Sequence, residues 1–229
     1  MVTSNRLYFA GTEGKHLIFP SDSGLFTIQI PIKPVSLQAS RSRKDVVTGA
    51  IKSITRTLGY LLTCDIAVKI TWFINPEERY EGDDNADVDN IVKPIMDALS
   101  GPEGIMVNDC QVQHLTCFWL DRDNMPERIQ IDIEYEPDAY FRKDGIMFVQ
   151  IKDALCMPIN GNMPPAAIKT DLDILEAQVK RRDDLVKRGV PVGDARGMLS
   201  IQRLFHRTRI SGFKVQSIAS LRASTESGK

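Results

Sequence analysis

Apolar and polar residues alternate along Leu25–Ile32, LFTIQIPI, a period of two that predicts a strand, with Pro31 marking an edge or an end. The stretch Lys33–Asp45 has no such rhythm and reads as a basic loop. From Val46 onward a helical stripe appears at Val47, Ala50, Ile51, Ile54, Leu58, Leu61 and Leu62, with Asp45 placed to cap it. Ile66–Ile74, rich in β-branched and aromatic residues, predicts a second strand. An acidic loop follows, then a helix over about Asn90–Leu99 with Ile91, Val92, Ile95, Ala98 and Leu99 on its buried side. Val112–Arg122 and Arg128–Tyr135 predict two further strands, joined as a hairpin through Asp121–Met125.

This order of elements predicts an α+β fold: a mixed or antiparallel sheet with helices packed on one face. The predicted core spans residues 25–138. Residues 1–24 form an N-terminal extension in which Arg6–Ala10 and His16–Phe19 are candidate short strands. Residues 139–229 form a C-terminal extension. In it Gly145–Ile151 is a possible strand and Met157–Pro165, with three prolines, reads as a linker. A charged helix is expected over 166–188, with a narrow stripe at Ile168, Leu172, Leu175 and Val179, stopped by Gly189 and Pro191. The basic tail after it reads as partly disordered.

Composition narrows the class. The chain has 229 residues, 42% of them hydrophobic and 26% charged, enough for a buried core. No apolar run approaches the roughly 18–20 residues of a membrane span, and the N-terminus lacks a basic-then-apolar signal, so a cytoplasmic location is expected. Four scattered cysteines without a CxxC pair argue against structural zinc and disulfides. The net charge of −1 hides a strong segregation. Residues Ile32–Thr57 carry six bases (Lys33, Arg41, Arg43, Lys44, Lys52, Arg56) against one acid, and Ile201–Lys229 carry six against one. Pro76–Asn90 carry seven acids against one base, Arg79. The first basic set suits either a solubilising helix face or a phosphate-facing surface.

The chemistry concentrates between Asn85 and Val112. Asp87 and Asp89, one residue apart, point to the same side of an extended backbone and repel unless a cation lies between them. Oxygen-only ligands suit magnesium or manganese; helix capping explains either acid alone but not both. Lys93 and Asp97 follow Asp89 at helical spacing. Lys93 is placed to bind a scissile phosphate or orient a water, or forms a plain surface ion pair. Asp109 lies after a glycine-bearing turn at the entry to a strand, as a third ligand or a turn residue, and Asn108 is more simply a turn residue than a ligand. No nucleophile elbow, P-loop or dinucleotide turn is present.

The ordered set DVDN (Asp87–Asn90), Lys93, DAL (Asp97–Leu99) and DCQV (Asp109–Val112) resembles the RusA family of Holliday-junction resolvases. The resemblance covers roughly Leu25–Pro137 and extends to the strand, proline turn and basic loop of IPIKPVSLQASRSRK. It implies a homodimeric endonuclease, dependent on Mg²⁺ with Mn²⁺ as substitute, that makes paired nicks in four-way DNA junctions. On that resemblance Asp87, Asp89 and Asp109 hold the metal, Lys93 is the essential base, and Asn90 and Asp97 support the ligands. Lys33, Arg41, Arg43, Lys44, Lys52 and Arg56 would hold DNA. Asp83 and Asp84 stand where family members often carry arginines. The alternatives are a non-catalytic DNA- or partner-binding module and a related nuclease for flaps, forks or other branched DNA.

Overall fold

The structure is a computed structural model that describes residues 6–7, 20–36, 38–81, 87–122, 126–197, 199 and 203–227. It divides into two units, Met1–Tyr140 and Phe141–Lys229. The architecture is α+β throughout, with mixed sheets.

The first unit contains β1 (Arg6–Leu7), β2 (Leu25–Ile30), α1 (Arg41–Thr55), β3 (Tyr60–Leu62), β4 (Ile66–Ile74), α2 (Pro76–Glu81), α3 (Val92–Leu99), β5 (Val112–Asp121) and β6 (Arg128–Glu134). Its main sheet runs β1-β2-β6-β4-β5, with β6 antiparallel to both β2 and β4, and β5 parallel to β4 at the edge. A parallel neighbour needs a crossover, and the chain from β4 to β5 supplies it through α2 and α3.

The alternation seen in the sequence becomes two unlike faces. Phe26, Ile28 and Ile30, then Val68, Ile70 and Trp72, then Ile129, Ile131 and Ile133 line the buried face and pack with Val47, Ile51 and Ile54 of α1 and Ile95, Ala98 and Leu99 of α3. On the other face the cross-strand partners are polar. Thr27 Oγ1 donates to Asp132 at 2.8 Å, and Gln29 Nε2 to Gln130 at 2.9 Å. The period-two pattern specifies this register, since a one-residue slip would exchange the two faces.

Four expectations for this unit change. The strands β5 and β6 do not form a hairpin: β4 lies between them, parallel to β5 and antiparallel to β6, because the buried β4 takes the central place between two partners. Helix α1 begins at Arg41, so Asp45 lies inside it and caps nothing. The Arg41–Lys44 segment holds no proline or glycine to stop the helix extending backward from its buried turns. Leu61 and Leu62 leave the helical stripe and form β3, where Leu62 N–H donates to Ile105 O at 2.8 Å. A fully buried apolar run carries no period, so its partners decide its conformation. The acidic loop after β4 opens with the short helix α2. His16–Phe19, Asp83, Asp84 and the 123–125 connection lie outside the described residues.

Strand β7 (Tyr140–Arg142) spans the division between the units. The second unit then holds β8 (Ile146–Lys152), β9 (Leu155–Asn160), α4 (Pro165–Lys187), α5 (Val192–Arg196), β10 (Phe205–His206), β11 (Val215–Ser217) and α6 (Ile218–Ser227). Four of these strands form a sheet in the order β10-β9-β8-β11. The expected long helix is present, and its stripe Ile168, Leu172 and Leu175 packs on Met147 and Val149 of β8 and Leu221 of α6. Gly189, at φ 90°, ends that helical run in a conformation that favours glycine.

The Met157–Pro165 linker is overturned, because Met157–Asn160 belong to β9, with Pro158 opposite Phe148, and Pro165 opens α4. Strand β10 reaches only Leu155 and Cys156, so the nitrogen of Pro158 has no further ladder bond to make on that side among the described residues. The basic tail is also ordered into β10, β11 and α6 rather than left without structure.

Candidate active site

Helix α3 is short, and everything of chemical interest clusters around its start. The chain enters it through a turn in which Asn90 N–H donates to Asp87 O at 3.0 Å and Val92 N–H to Asp89 O at 3.3 Å. These backbone bonds hold the DVDN segment in a compact shape while the Asp87 and Asp89 side chains stay exposed. Neither aspartate caps α3, whose first residue follows Ile91 without a side-chain cap. The turn is also tied outward. Cys117 Sγ of β5 donates to Val88 O at 3.4 Å, and Gln38 Nε2 donates to Asn90 Oδ1 at 3.3 Å. Through Gln38 the loop that leads into the basic start of α1 is anchored beside the acidic turn.

Lys93, the second residue of α3, joins two carboxylates. Its Nζ lies 2.7 Å from Asp97 Oδ1 and 3.0 Å from Asp109 Oδ2. Both partners donate stability to the ammonium form, so the Lys93 pKa is raised, first by the hydrogen bond to Asp97 and next by that to Asp109. Lys93 is therefore a permanent cation here.

Asp109 is held by a purpose-built turn. Gly104 allows the chain to fold back after α3, because a Cβ there would collide with the backbone of Leu99 and Ser100. Asp109 then opens a 3₁₀ turn, Asp109–Gln111, whose N-cap Asn108 accepts from Cys110 N–H at 3.1 Å. Asn108 is thus a turn residue, as its position suggested. The buried Gln111 fixes the turn to the core. Its Oε1 accepts from Val107 N–H at 2.7 Å and Asn108 N–H at 3.1 Å. Its Nε2 donates to Leu62 O at 3.0 Å and Cys64 O at 2.7 Å, on the residues just ahead of β4. Directly beyond, the β4–β5 register shifts between Ile66 and Ala67.

The electrostatics follow from burial and charge. Burial pushes the Cys117 thiol up to about 11, and the negative charge of Asp89 adds to the rise. The thiol close to the acidic turn is consequently neutral at physiological pH. Among the described residues, no group of three His, Cys, Asp or Glu side chains converges in a way that could hold a metal ion. The ammonium of Lys93 is instead the cation that Asp97 and Asp109 share. His114 is an exposed strand residue whose Nε2 lies 3.0 Å from Thr116 Oγ1.

The six basic candidates divide into two kinds. Lys33 pairs with Glu78 at 2.7 Å; Lys52 and Arg56 share Glu103 at 3.5 and 2.8 Å. Arg41, Arg43 and Lys44 make no ion pair among the described residues, and both arginines are exposed. Three cations in the first turn of α1 oppose the helix dipole, at about 0.3–1 kcal/mol each, so helix stability does not account for them.

Two contributors have little signal in sequence. Gln111 is one, since a buried amide and a surface amide look alike until burial is known. Arg79 is the other. It pairs with Asp121 at 2.6 Å and lies 4.4 Å from the Trp119 ring centre, pinning α2 to the end of β5.

Residues 36–134, which hold the acids, Lys93, Gln111 and the basic start of α1, match the protein-family model for Endodeoxyribonuclease RusA. This segment is a RusA-like domain. No curated protein matches the chain. The RusA domain lies wholly within the first unit, and its match ends where β6 does. Among the described residues, no helix of the chain is long and apolar enough to cross a membrane.

Proposed function

We propose that the RusA domain is a Mg²⁺-dependent nuclease that resolves four-way DNA junctions by paired nicks, with Asp87, Asp89 and Asp109 as metal ligands and Lys93 as the basic partner. The observation that carries the proposal is the Lys93 ammonium, 3.0 Å from Asp109 and one helical turn beyond the exposed DVDN acids, inside a RusA domain.

The donor set fits a hard divalent cation. Its members are carboxylates, and the neighbouring soft donor, Cys117, is kept protonated by burial. When bound, the ion supplies a more acidic water and neutralises the charge that develops on the phosphate. Lys93 donates to a phosphate oxygen and remains charged throughout. Asp97 orients Lys93 from the next turn of α3, and Gln111 keeps Asp109 at its station. Asn90, bonded to Gln38, links the acids to the Arg41–Lys44 segment, which holds backbone phosphates by charge rather than by base sequence.

Paired nicks in a two-fold symmetric junction need two active sites, so a homodimer is part of the proposal. The outer side of β5 is unpaired among the described residues and exposes Leu115 and Leu120.

The test is nicking of end-labelled four-way junctions, flaps, forks and linear duplex with Mg²⁺. Junctions are expected to be cut in symmetric pairs. Asp87→Asn and Asp109→Asn are each expected to abolish cutting while junction binding in EDTA persists. Wild-type rates in both variants would remove the site assignment. A non-catalytic binding module is the second reading, favoured by the absence of a closed metal-binding cluster among the described residues. Calorimetry separates the two: Mn²⁺ binding that disappears in Asp109→Asn supports the nuclease, and no binding at millimolar Mn²⁺ supports the module.

A further inference from the structure

Charge is divided between the two units to an extent the net value of −1 conceals. Residues 1–140 carry 13 Lys and Arg against 21 Asp and Glu, a net of −8. Residues 141–229 carry 16 against 9, a net of +7. The unit that contains the RusA domain is the acidic one, and a DNA backbone approaching it meets overall repulsion. The net positive charge of the protein lies in the second unit.

In the second unit that charge is concentrated and displayed. Between Ala195 and Thr225 there are six bases (Arg196, Arg203, Arg207, Arg209, Lys214, Arg222) and no acid. The centre of this stretch crosses from β10, at one edge of the four-stranded sheet, to β11 at the other. Aromatic packing pins the crossing. Phe148 of β8 stacks edge-on against Phe205 at 5.6 Å and against Phe213 at 5.2 Å, and Ile210 is buried between them in sequence. Arg207 N–H donates to Ala154 O at 2.8 Å at one end, and Lys214 O accepts from Phe148 N–H at 2.8 Å at the other.

The apolar residues thus face inward, and His206, Arg207, Arg209 and Lys214 are exposed. Met147 and Val149, which alternate with Phe148 along β8, pack with α4 and α6. The unit's own chain therefore packs on both faces of its sheet, and the cations are left to solvent. At the β10 end the surface borders a cavity of about 430 Å³ whose lining includes Arg196 and His206, while Lys152 and Arg182, also in that lining, are paired with Asp183 at 2.7 and 2.5 Å. Arg196, Arg207 and Lys214 make no ion pair among the described residues. By contrast Arg222 is neutralised by Asp173 and Glu176, both at 2.6 Å.

We infer that the second unit is a duplex-docking module, in which the Phe205–Lys214 crossing and Arg196 bind the phosphate backbone of a DNA arm. That partner rests on the reading of the first unit as a DNA nuclease. A held cationic surface loses little freedom on binding, so its charges act on affinity rather than on ordering. Its contribution is sequence-independent and salt-dependent. It offsets the −8 charge of the catalytic unit without placing cations among the acids that the reaction uses.

The experiment compares full-length wild type, the triple variant Arg196→Ala/Arg207→Ala/Lys214→Ala, and the charge-matched control Lys169→Ala/Lys180→Ala/Arg181→Ala on exposed positions of α4. Binding to a labelled four-way junction is measured in EDTA from 50 to 300 mM NaCl, and circular dichroism confirms the fold of each. The triple variant is expected to bind about 10–100-fold more weakly near 0.15 M salt, with a log–log salt slope smaller by about 2–3. The control is expected to lose less than threefold. Unchanged affinity in the triple variant, or an equal loss in the control, would overturn the docking surface. Nicking by a single saturating dose reports the first unit separately. Junctions cut normally with binding insensitive to the triple variant would refute the docking module alone. Binding that depends on the three residues, without cutting of any DNA, would refute the nuclease reading alone.

Discussion

Lys93 holds its ammonium 3.0 Å from the carboxylate of Asp109, sixteen residues further along the chain. A second carboxylate, Asp97, lies 2.7 Å from the same nitrogen. One cation therefore serves two acids drawn from a helix and from the turn before β5. That sharing separates a positional role from a catalytic one. Asp97 is the more exposed partner, 59% against 28% for Asp109, and a surface pair of this kind contributes only about 0.2–1 kcal/mol. Asp97→Asn is expected to lower the nicking rate by less than tenfold. Lys93→Met is expected to lower it by about 10²–10³-fold, the usual loss for one charge-stabilising donor, with junction affinity within threefold of wild type. Single-turnover nicking at saturating protein measures both, and similar losses in the two variants would count against a direct role for Lys93.

Gln111 makes four hydrogen bonds from a fully buried position. Gln111→Leu removes all four and leaves main-chain groups of Leu62, Cys64, Val107 and Asn108 without that partner. Each such buried group costs about 1–3 kcal/mol, so a loss of about 3 kcal/mol or more is expected in urea unfolding. If the protein remains folded at low temperature, nicking is expected to fall as well, because Asp109 rides on the turn that Gln111 fixes. A change under 1 kcal/mol would show that the turn is held by something else.

The two classes of base in the first unit should behave differently. Arg41→Ala/Arg43→Ala removes two charges that no described acid neutralises, and should weaken junction binding about tenfold or more with a salt slope smaller by about 2. Lys52→Ala/Arg56→Ala removes charges already shared with Glu103 and should weaken it less. Glu103→Gln sharpens the point. Its carboxyl sits below the usual range chiefly because of the Arg56 hydrogen bond. Losing that charge frees Arg56 and Lys52 and should strengthen DNA binding. Weaker binding in Glu103→Gln would mean the pair is only structural.

The Cys117 thiol supplies a pH prediction. Its folded pKa, about 11, is raised first by burial and then by Asp89. A raised pKa favours the protonated folded state, so this contribution is complete below the ordinary thiol range and fades as pH climbs from there toward about 11. Stability should accordingly decline over that window, and Cys117→Ser should flatten the decline. Asp89→Asn removes the second cause and should move the thiolate absorbance midpoint downward. A midpoint that does not move would place the Asp89 carboxylate away from β5.

Much of the first unit was open to reading from the chain alone. The strand over Ile66–Ile74 and the strands entering at Val112 and Arg128 are where alternation and β-branched content put them, because a sheet with one polar face writes its period directly into the residues. The spacing of Asp87, Asp89, Lys93 and Asp97 was legible for a related reason: along one turn and one helix it is local, whereas Asp109 comes from a separate turn. Burial, and contacts between distant segments, are not local quantities. Nothing in the order of residues says that Gln111 reaches Leu62 and Cys64, or that Glu103 neutralises Arg56 while Arg41 has no acidic partner among the described residues. Leu61 and Leu62 fitted a helical stripe as well as a buried strand until Ile105 supplied a hydrogen-bond partner. The same holds for the C-terminal stretch, whose excess of bases was plain in the sequence. Only the packing of Phe148 between Phe205 and Phe213 makes an ordered surface of it, since the backbone entropy of an apparent tail is overcome by long-range burial that no local pattern encodes.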